Sequence, residues 1–345
     1  MNQQGFRPPT LPGPGSVRRR SIVADGAEAV TCEPLDGGAP AVVCPRTADL
    51  TAAAWAAAAQ ELVADWFARH RALLFRGFAI SEIGAFQDLV EATSVGEPLE
   101  YKDRSTPRPK VGDGVYVSTV YPAERTIALH NEGTYWTRFP KKIYFGALQV
   151  AETGGETPIA DVRRVLGHLP TAVRERFADS GVLYVRNYND GLGLPWQEVF
   201  QTGSRAEVEA YCRSHDIDWE WKDGDRLRTR QRRPALRRHP ETGEEIWFNH
   251  AAFFHVSSLE PELRRTLLAD LGEEGLPYNT YYGDGSTIEE EVVESIRDAY
   301  RRETVVFPWH PGDVLLLDNL CFAHGRRPYQ GERQVVVAMM EAVAG

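Results

Sequence analysis

The residues with the clearest capacity for chemistry are His130, Glu132 and His324. His130-Asn131-Glu132 closes a strand-like run at 126–129. In an extended chain, residues i and i+2 project to the same face, so the imidazole and the carboxylate can converge on one ion while Asn131 points elsewhere. An H-x-E triplet alone is weak, because it arises by chance in many proteins. The second half of the signal is Trp309-His310-Pro311-Gly312-Asp313, a turn that feeds the apolar run Val314-Leu315-Leu316-Leu317. The polar pair Asp318-Asn319 ends that run, and His324-Gly325-Arg326 follows, placing His324 to reach back into the same cavity. Two imidazoles and one carboxylate on one face of an ion leave the opposite positions open. That facial arrangement is how non-haem Fe(II) binds a cosubstrate and O2 together.

Such a centre needs a source of electrons. Arg333 starts the last strand-like run, and its planar guanidinium fork matches a carboxylate bidentately. A dicarboxylic keto acid could chelate the metal at one end and lock its far carboxylate on Arg333. Thr157, in Gly154-Gly155-Glu156-Thr157-Pro158, could give a hydroxyl to the same carboxylate. Taken alone, Arg333 reads as a surface residue and Thr157 as a turn residue; beside the triad the functional reading is the stronger. Of the other histidines, His70, His168 and His215 lie in or near helical stretches, His239 precedes Pro240 in a turn, and His310 is local to its turn. His250 and His255 flank the aromatic run Ala251-Ala252-Phe253-Phe254 and are second-rank pocket candidates.

The elements that must hold these residues are helical first and strand-rich later. Thr51 is a plausible N-cap for an Ala-rich helix to about residue 71, a strand follows at 72–78, and a second helix at 81–92. Glycine and proline thicken between 96 and 114, which predicts a loop. Short runs bounded by turn residues then predict strands at 115–120, 126–130, 143–150 and 182–188, and at 305–309, 314–318 and 334–341. Helices are expected at 162–180, 205–214, 260–271 and 287–302. The order suits an α+β chain built on a β-sandwich or jelly roll, and no G-x-G-x-x-G fingerprint supports a doubly wound sheet.

Composition sets the outer bounds. The formal net charge of −10 argues against general affinity for nucleic acid. No apolar run is long enough to span a membrane, and the Pro-, Gly- and Arg-rich residues 1–20 read as a disordered tail without a secretory signal. A cytoplasmic location is therefore expected, with the four cysteines as reduced thiols. One local exception is the stretch 226–238, where seven arginines fall within thirteen residues. It is either a solvated, salt-bridged surface or a docking face for an anionic substrate or partner.

His130-Asn131-Glu132, Gly154-Gly155-Glu156-Thr157 and the run from Gly312 through Asp318-Asn319 to His324-Gly325-Arg326 together resemble the taurine dioxygenase/clavaminate synthase-like superfamily. Order and spacing agree from about 73 to 340. The resemblance implies a distorted double-stranded β-helix (jelly roll) with N-terminal helices and an inserted helical or lid region. It also implies Fe(II), 2-oxoglutarate and O2, with His130, Glu132 and His324 on the metal and Thr157 and Arg333 on the cosubstrate. Other branches place the cosubstrate arginine differently, which keeps Arg326 and Arg327 as lesser candidates. Residues 21–345 then form one oxygenase domain with an insert at about 187–304, and 96–114 and 187–249 are lid candidates.

Arg186-Asn187-Tyr188, Leu227-Arg228-Thr229-Arg230-Gln231, Trp247-Phe248-Asn249 and Tyr282-Gly283-Asp284-Gly285 are similar to the syringomycin-type hydroxylases of peptide-synthetase pathways. That branch implies hydroxylation of an unactivated C–H of an amino acid or derivative, free or tethered to a carrier protein. Arg228, Arg230 and Asn249 are the corresponding candidates for substrate contact. Desaturation or cyclisation needs the same cofactors and stays open, as does a non-enzymatic jelly-roll sensor. A halogenase of the superfamily carries a small residue where Glu132 stands, so Glu132 argues against that activity.

Overall fold

The computed structural model describes residues 26–99, 103, 109–118, 121–188 and 193–344. The tail expected at 1–20 lies outside them, as do parts of the two expected lid stretches, at 100–102, 104–108 and 189–192. The larger of two facing sheets has eight strands. In spatial order these are Val30–Pro34, Ala41–Pro45, Ala72–Phe75, Val314–Asp318, Arg138–Gln149, Gln334–Ala344, Val115–Val117 and Lys110–Gly112. The smaller has four: Thr304–Val305, Ile159–Asp161, Phe322–Arg326 and Ile127–His130. Pairing is antiparallel in both, except that Ala41–Pro45 runs parallel to Ala72–Phe75. This is the jelly roll that the strand pattern led one to expect.

The core follows from the alternation of side chains. Leu315 and Leu317 from the large sheet meet Ile159, Ala160, Phe322 and Ala323 from the small one, all buried in one cluster. Leu316, between them, faces the other way into a second cluster with Trp55, Val63, Phe67, Phe86 and Leu89 from the N-terminal helices. A strand covered on both sides must be apolar at every position, which is why 314–317 reads as a continuous hydrophobic run rather than an alternating one. Fully burying one such leucine is worth about 1.5–3 kcal/mol.

Several expected elements are shorter or divided. The N-terminal helix is two, Ala52–Ala58 and Gln60–His70, with Ala59 out of helical geometry between them. Thr51 does occupy the N-cap position, but its hydroxyl makes no capping bond. The helix expected at 162–180 divides into Val162–His168 and Thr171–Ser180, because Pro170 has no N–H to continue the ladder. The strand expected at 305–309 shrinks to Thr304–Val305 ahead of Pro308. A third sheet of four strands, Asp218–Lys222, Arg226–Arg233, Val182–Tyr188 and Tyr278–Tyr282, stands apart from the sandwich ladders. All four cysteines are free thiols, and among the described residues no helix is long and apolar enough to cross a membrane.

Candidate metal and cosubstrate site

Two of the three expected ligands face each other across one strand pair. His130 ends the strand Ile127–His130, His324 lies within Phe322–Arg326, and they are directly opposite, with ring centroids 4.6 Å apart. The approach is close because Gly325 separates His324 from Arg326; a Cβ there would sit 2.6 Å from the Ile127 carbonyl oxygen. Glu132 enters from the turn after His130, where Gly133 takes a φ of +72° and the Trp136 ring fills the space a side chain would need. One ligand atom from each of His130, Glu132 and His324 lies within 4.8 Å of the others, and all three residues are buried.

The donor chemistry suits a divalent transition metal. His130 Nδ1 lies 2.9 Å from the Ala128 carbonyl. A carbonyl only accepts, so Nδ1 carries the proton and Nε2 keeps its lone pair for a metal, the usual way a ligand histidine is oriented. The Phe253 ring stacks on His130 at 4.6 Å and Phe145 packs on His324 at 4.8 Å, giving the imidazoles apolar walls.

Thr157 and Arg333 line the same small cavity as His130, His324 and Phe145. Arg333 Nε donates to the Gly155 carbonyl at 3.0 Å, and among the described residues its other guanidinium donors have no acceptor and no carboxylate partner. Burial, with Arg326 nearby, pushes its pKa down to about 10, so it remains cationic at neutral pH. A half-buried cation facing a cavity calls for an anion. The rival arginines are otherwise engaged. Arg326 donates to the carbonyls of Tyr121, Pro122 and Arg125, and Arg327 is exposed. Thr157 Oγ1 accepts from Trp309 Nε1 at 3.2 Å, which leaves its own O–H to donate.

The residues expected to meet a substrate have other occupations. Arg228 is buried and clamps Asn187 Oδ1 at 2.9 Å, together with the carboxylate and carbonyl of Glu274. Arg230 pairs with Glu220 at 3.4 Å and lines a separate surface cavity with Asn187, Glu273 and Glu274. Asn249 spends its amide on backbone, donating to the Ala235 carbonyl and accepting from Ala251 N–H. None of the three lines the cavity that holds His130, His324 and Arg333.

Two neighbours of the cluster are fixed by contacts a linear reading does not reveal. His250 Nε2 donates to the Asn131 carbonyl at 2.7 Å, and burial, then the neighbouring His130, push its pKa down to about 3. Phe253 was visible only as part of an aromatic run. A second buried group, His239, Asp318 and Cys321, also brings ligand-type atoms together, but its hydrogen bonds use them up. His239 Nδ1 accepts from the N–H groups of Glu241 and Thr242, so Nε2 donates to Asp318 at 2.9 Å, and Arg71 meets that same carboxylate oxygen at 3.2 Å. Burial raises the Cys321 thiol far above its ordinary range, keeping it neutral.

A jelly roll that brings two histidines and one carboxylate together beside a small cavity defines a class of oxygenase, and the comparisons agree. Residues 33–340 match the taurine catabolism dioxygenase TauD, TfdA family, and the chain belongs to that family. It is an oxygenase that uses Fe(II), 2-oxoglutarate and O2. The chain is 48% identical over 272 residues to the dapdiamide synthesis protein DdaC of Enterobacter agglomerans, covering 79% of this chain and 82% of that one. It is 28% identical over 286 residues to a clavaminate synthase-like protein of Arabidopsis thaliana, covering 78% and 81%. The fold is shared with PvcB of Pseudomonas aeruginosa, at a TM-score of 0.54 and 15% identity over 92% of this chain and 95% of that one. A taurine dioxygenase of Burkholderia xenovorans aligns at a TM-score of 0.50 and 15% identity, with the same coverage of each chain.

Proposed function

We propose that this oxygenase hydroxylates an unactivated C–H of an amino acid or amino-acid derivative, free or carrier-tethered, in the biosynthesis of a small natural product. The observation that carries the catalytic part is the approach of His130, Glu132 and His324 to within 4.8 Å, beside the cavity that Arg333 and Thr157 line. The biosynthetic part is supported by the 48% identity to a dapdiamide synthesis protein. The amino-acid part is supported by the resemblance to peptide-pathway hydroxylases.

In this reading His130 Nε2, the Glu132 carboxylate and His324 hold Fe(II). Iron held there would supply the redox chemistry, in which decarboxylation of 2-oxoglutarate to succinate and CO2 leaves one atom of O2 in succinate and the other in the C–H bond. The chain's own residues bind, orient and exclude water. Arg333 receives the far carboxylate of the keto acid as a two-point ion pair, and the Thr157 hydroxyl adds a third donor. Ala128 fixes the His130 ring through its Nδ1–H, so the ligand presents one face only. Phe145 and Phe253 keep the imidazoles in a dry wall, which strengthens every electrostatic contact inside.

The test is a reconstitution of purified protein with Fe(II), 2-oxoglutarate and O2 against amino acids, their amides and carrier thioesters, reading succinate and product mass. Gain of one oxygen on one of these compounds is the expected result. A loss of two hydrogens would instead assign desaturation or cyclisation, and turnover confined to non-amino-acid compounds would sink the proposed substrate class. His130→Ala, Glu132→Ala and His324→Ala should each abolish succinate release and lower iron content; normal turnover in any one removes that residue from the ligand set.

A further inference from the structure

We infer that Asn319 is a positioning residue for the metal centre: it fixes the backbone of Glu132 and thereby aims the carboxylate ligand. The inference rests on the reading of Glu132 as a ligand. Asn319 is fully buried at the end of Val314–Asp318, and every polar group it has is used toward one turn and one strand. Its Oδ1 accepts the Glu132 N–H at 2.7 Å. Its Nδ2 donates to the Glu132 carbonyl at 3.0 Å and to the Pro140 carbonyl at 2.9 Å. Its backbone carbonyl accepts from Asn131 Nδ2 at 2.6 Å, and its N–H donates to the Lys141 carbonyl at 2.8 Å. The Glu132 residue is therefore gripped at both its amide and its carbonyl by one side chain 187 residues away in sequence.

This grip explains a feature that the strand periodicity does not. His130 is held by a ladder, but Glu132 lies beyond the strand end, in a turn with a left-handed glycine immediately after it. A turn has no ladder to fix its register, so its ligand needs an external clamp. The side chain must be asparagine-like. Aspartate has the same shape but no donor, so one of its oxygens would face the Glu132 and Pro140 carbonyls with lone pairs opposed. Glutamine is one methylene too long to repeat these bonds from the same backbone position, and the position is fully buried. His250, which donates to the Asn131 carbonyl, holds the preceding peptide from the other side. The conserved geometry of a metal ligand commonly depends on such outer partners, whose loss costs about 10–100-fold in metal affinity.

The experiment is a double-mutant cycle on the full apo chain titrated with Co(II) alone, which needs neither cosubstrate nor turnover. The proteins are wild type, Asn319→Asp, Asn319→Ala, Glu132→Ala and the two double variants. Metal affinity and the visible Co(II) absorption are read, with thermal unfolding of the apo forms as a control. Asn319→Asp and Asn319→Ala should each weaken Co(II) binding about 10–100-fold and alter its spectrum. Neither should weaken binding further once Glu132 is alanine. Equal losses in both backgrounds would make Asn319 merely structural and overturn the inference, as would unchanged Co(II) affinity in a folded Asn319→Asp protein. If Glu132→Ala binds Co(II) like wild type, the ligand reading itself falls, and this inference with it. Asn319→Asp keeps the shape of the native side chain, so the cycle remains readable if Asn319→Ala does not fold.

Discussion

At the scale of single residues, the site separates groups whose chemistry is spent from groups whose chemistry is available. Arg326 lines the same cavity but spends both terminal nitrogens on three backbone carbonyls, leaving only its buried Nε without a partner, and Arg71 has two carboxylates. Arg333, in contrast, sits half-buried over the Tyr329 ring with no ion pair among the described residues. Replacing Arg333 by alanine should leave metal binding intact and weaken 2-oxoglutarate. Losing one partner of a buried pair costs about 3–5 kcal/mol, roughly a hundredfold or more in affinity. Thr157→Val removes one hydroxyl donor to a charged group and should cost roughly 1.5–3 kcal/mol. Both are measured as 2-oxoglutarate affinity by calorimetry on the metal-loaded protein. Arg326→Ala should instead lower stability, because its carbonyl partners lose their donors. A large loss of 2-oxoglutarate affinity in Arg326→Ala, with none in Arg333→Ala, would reverse the assignment.

At the scale of elements, the proposed ligand set depends on how closely two short strands approach. Ile127–His130 and Phe322–Arg326 put His130 opposite His324, and the pairing slips just after that point, between His324 and Arg326. Gly325 sits at the slip against the Ile127 carbonyl. Gly325→Ala should force the strands apart, lower thermal stability by the roughly 1–3 kcal/mol typical of overpacking, and weaken metal binding beyond what stability alone explains. Unchanged Co(II) affinity with a normal melting temperature would show that the close approach is dispensable. The same pair shows what a sequence can and cannot disclose. The H-x-E triplet is legible as a local motif, although Glu132 lies in the turn past the strand end and the period-2 argument does not position it, and the buried run 314–317 is legible because it is apolar throughout. The strand 322–326 is not, since its ladder partners lie at 127–130 and 159–161, far away in the chain. Arg228 misleads for a similar reason: its carboxylate partner is Glu274, 46 residues on, and only the third sheet brings the two together.

At the scale of the whole molecule, the same long-range pairing turns part of the arginine-rich stretch at 226–238 into internal bracing, while Arg226, Arg232 and Arg238 stay exposed. Arg228 and Arg230 are paired with glutamates, Arg233 donates to the carbonyls of Tyr135 and His215, and Arg237 lies over the Phe139 ring. Protons reach this architecture through buried histidines, of which His255 is the cleanest probe because it is not among the candidate ligands. Burial, then the charges of Arg297 and Arg264, push its pKa from 6.5 down to about 4, with Glu290 opposing weakly. The neutral form is the one the fold uses, since Nδ1 accepts hydrogen bonds from the Ser257 amide and hydroxyl. A histidine whose folded pKa lies below its unfolded value contributes stability that is full above the unfolded value and is lost as pH falls toward the folded one. The window is therefore about pH 6.5 down to 4. Urea unfolding of the apo protein should show wild type losing stability across that window faster than His255→Gln, which starts less stable at pH 7.5. The gap between the two should close as the pH is lowered, because every other titrating group is common to both. A constant gap would mean that His255 takes up its proton equally in the folded and unfolded chains, and that acid acts on the fold elsewhere.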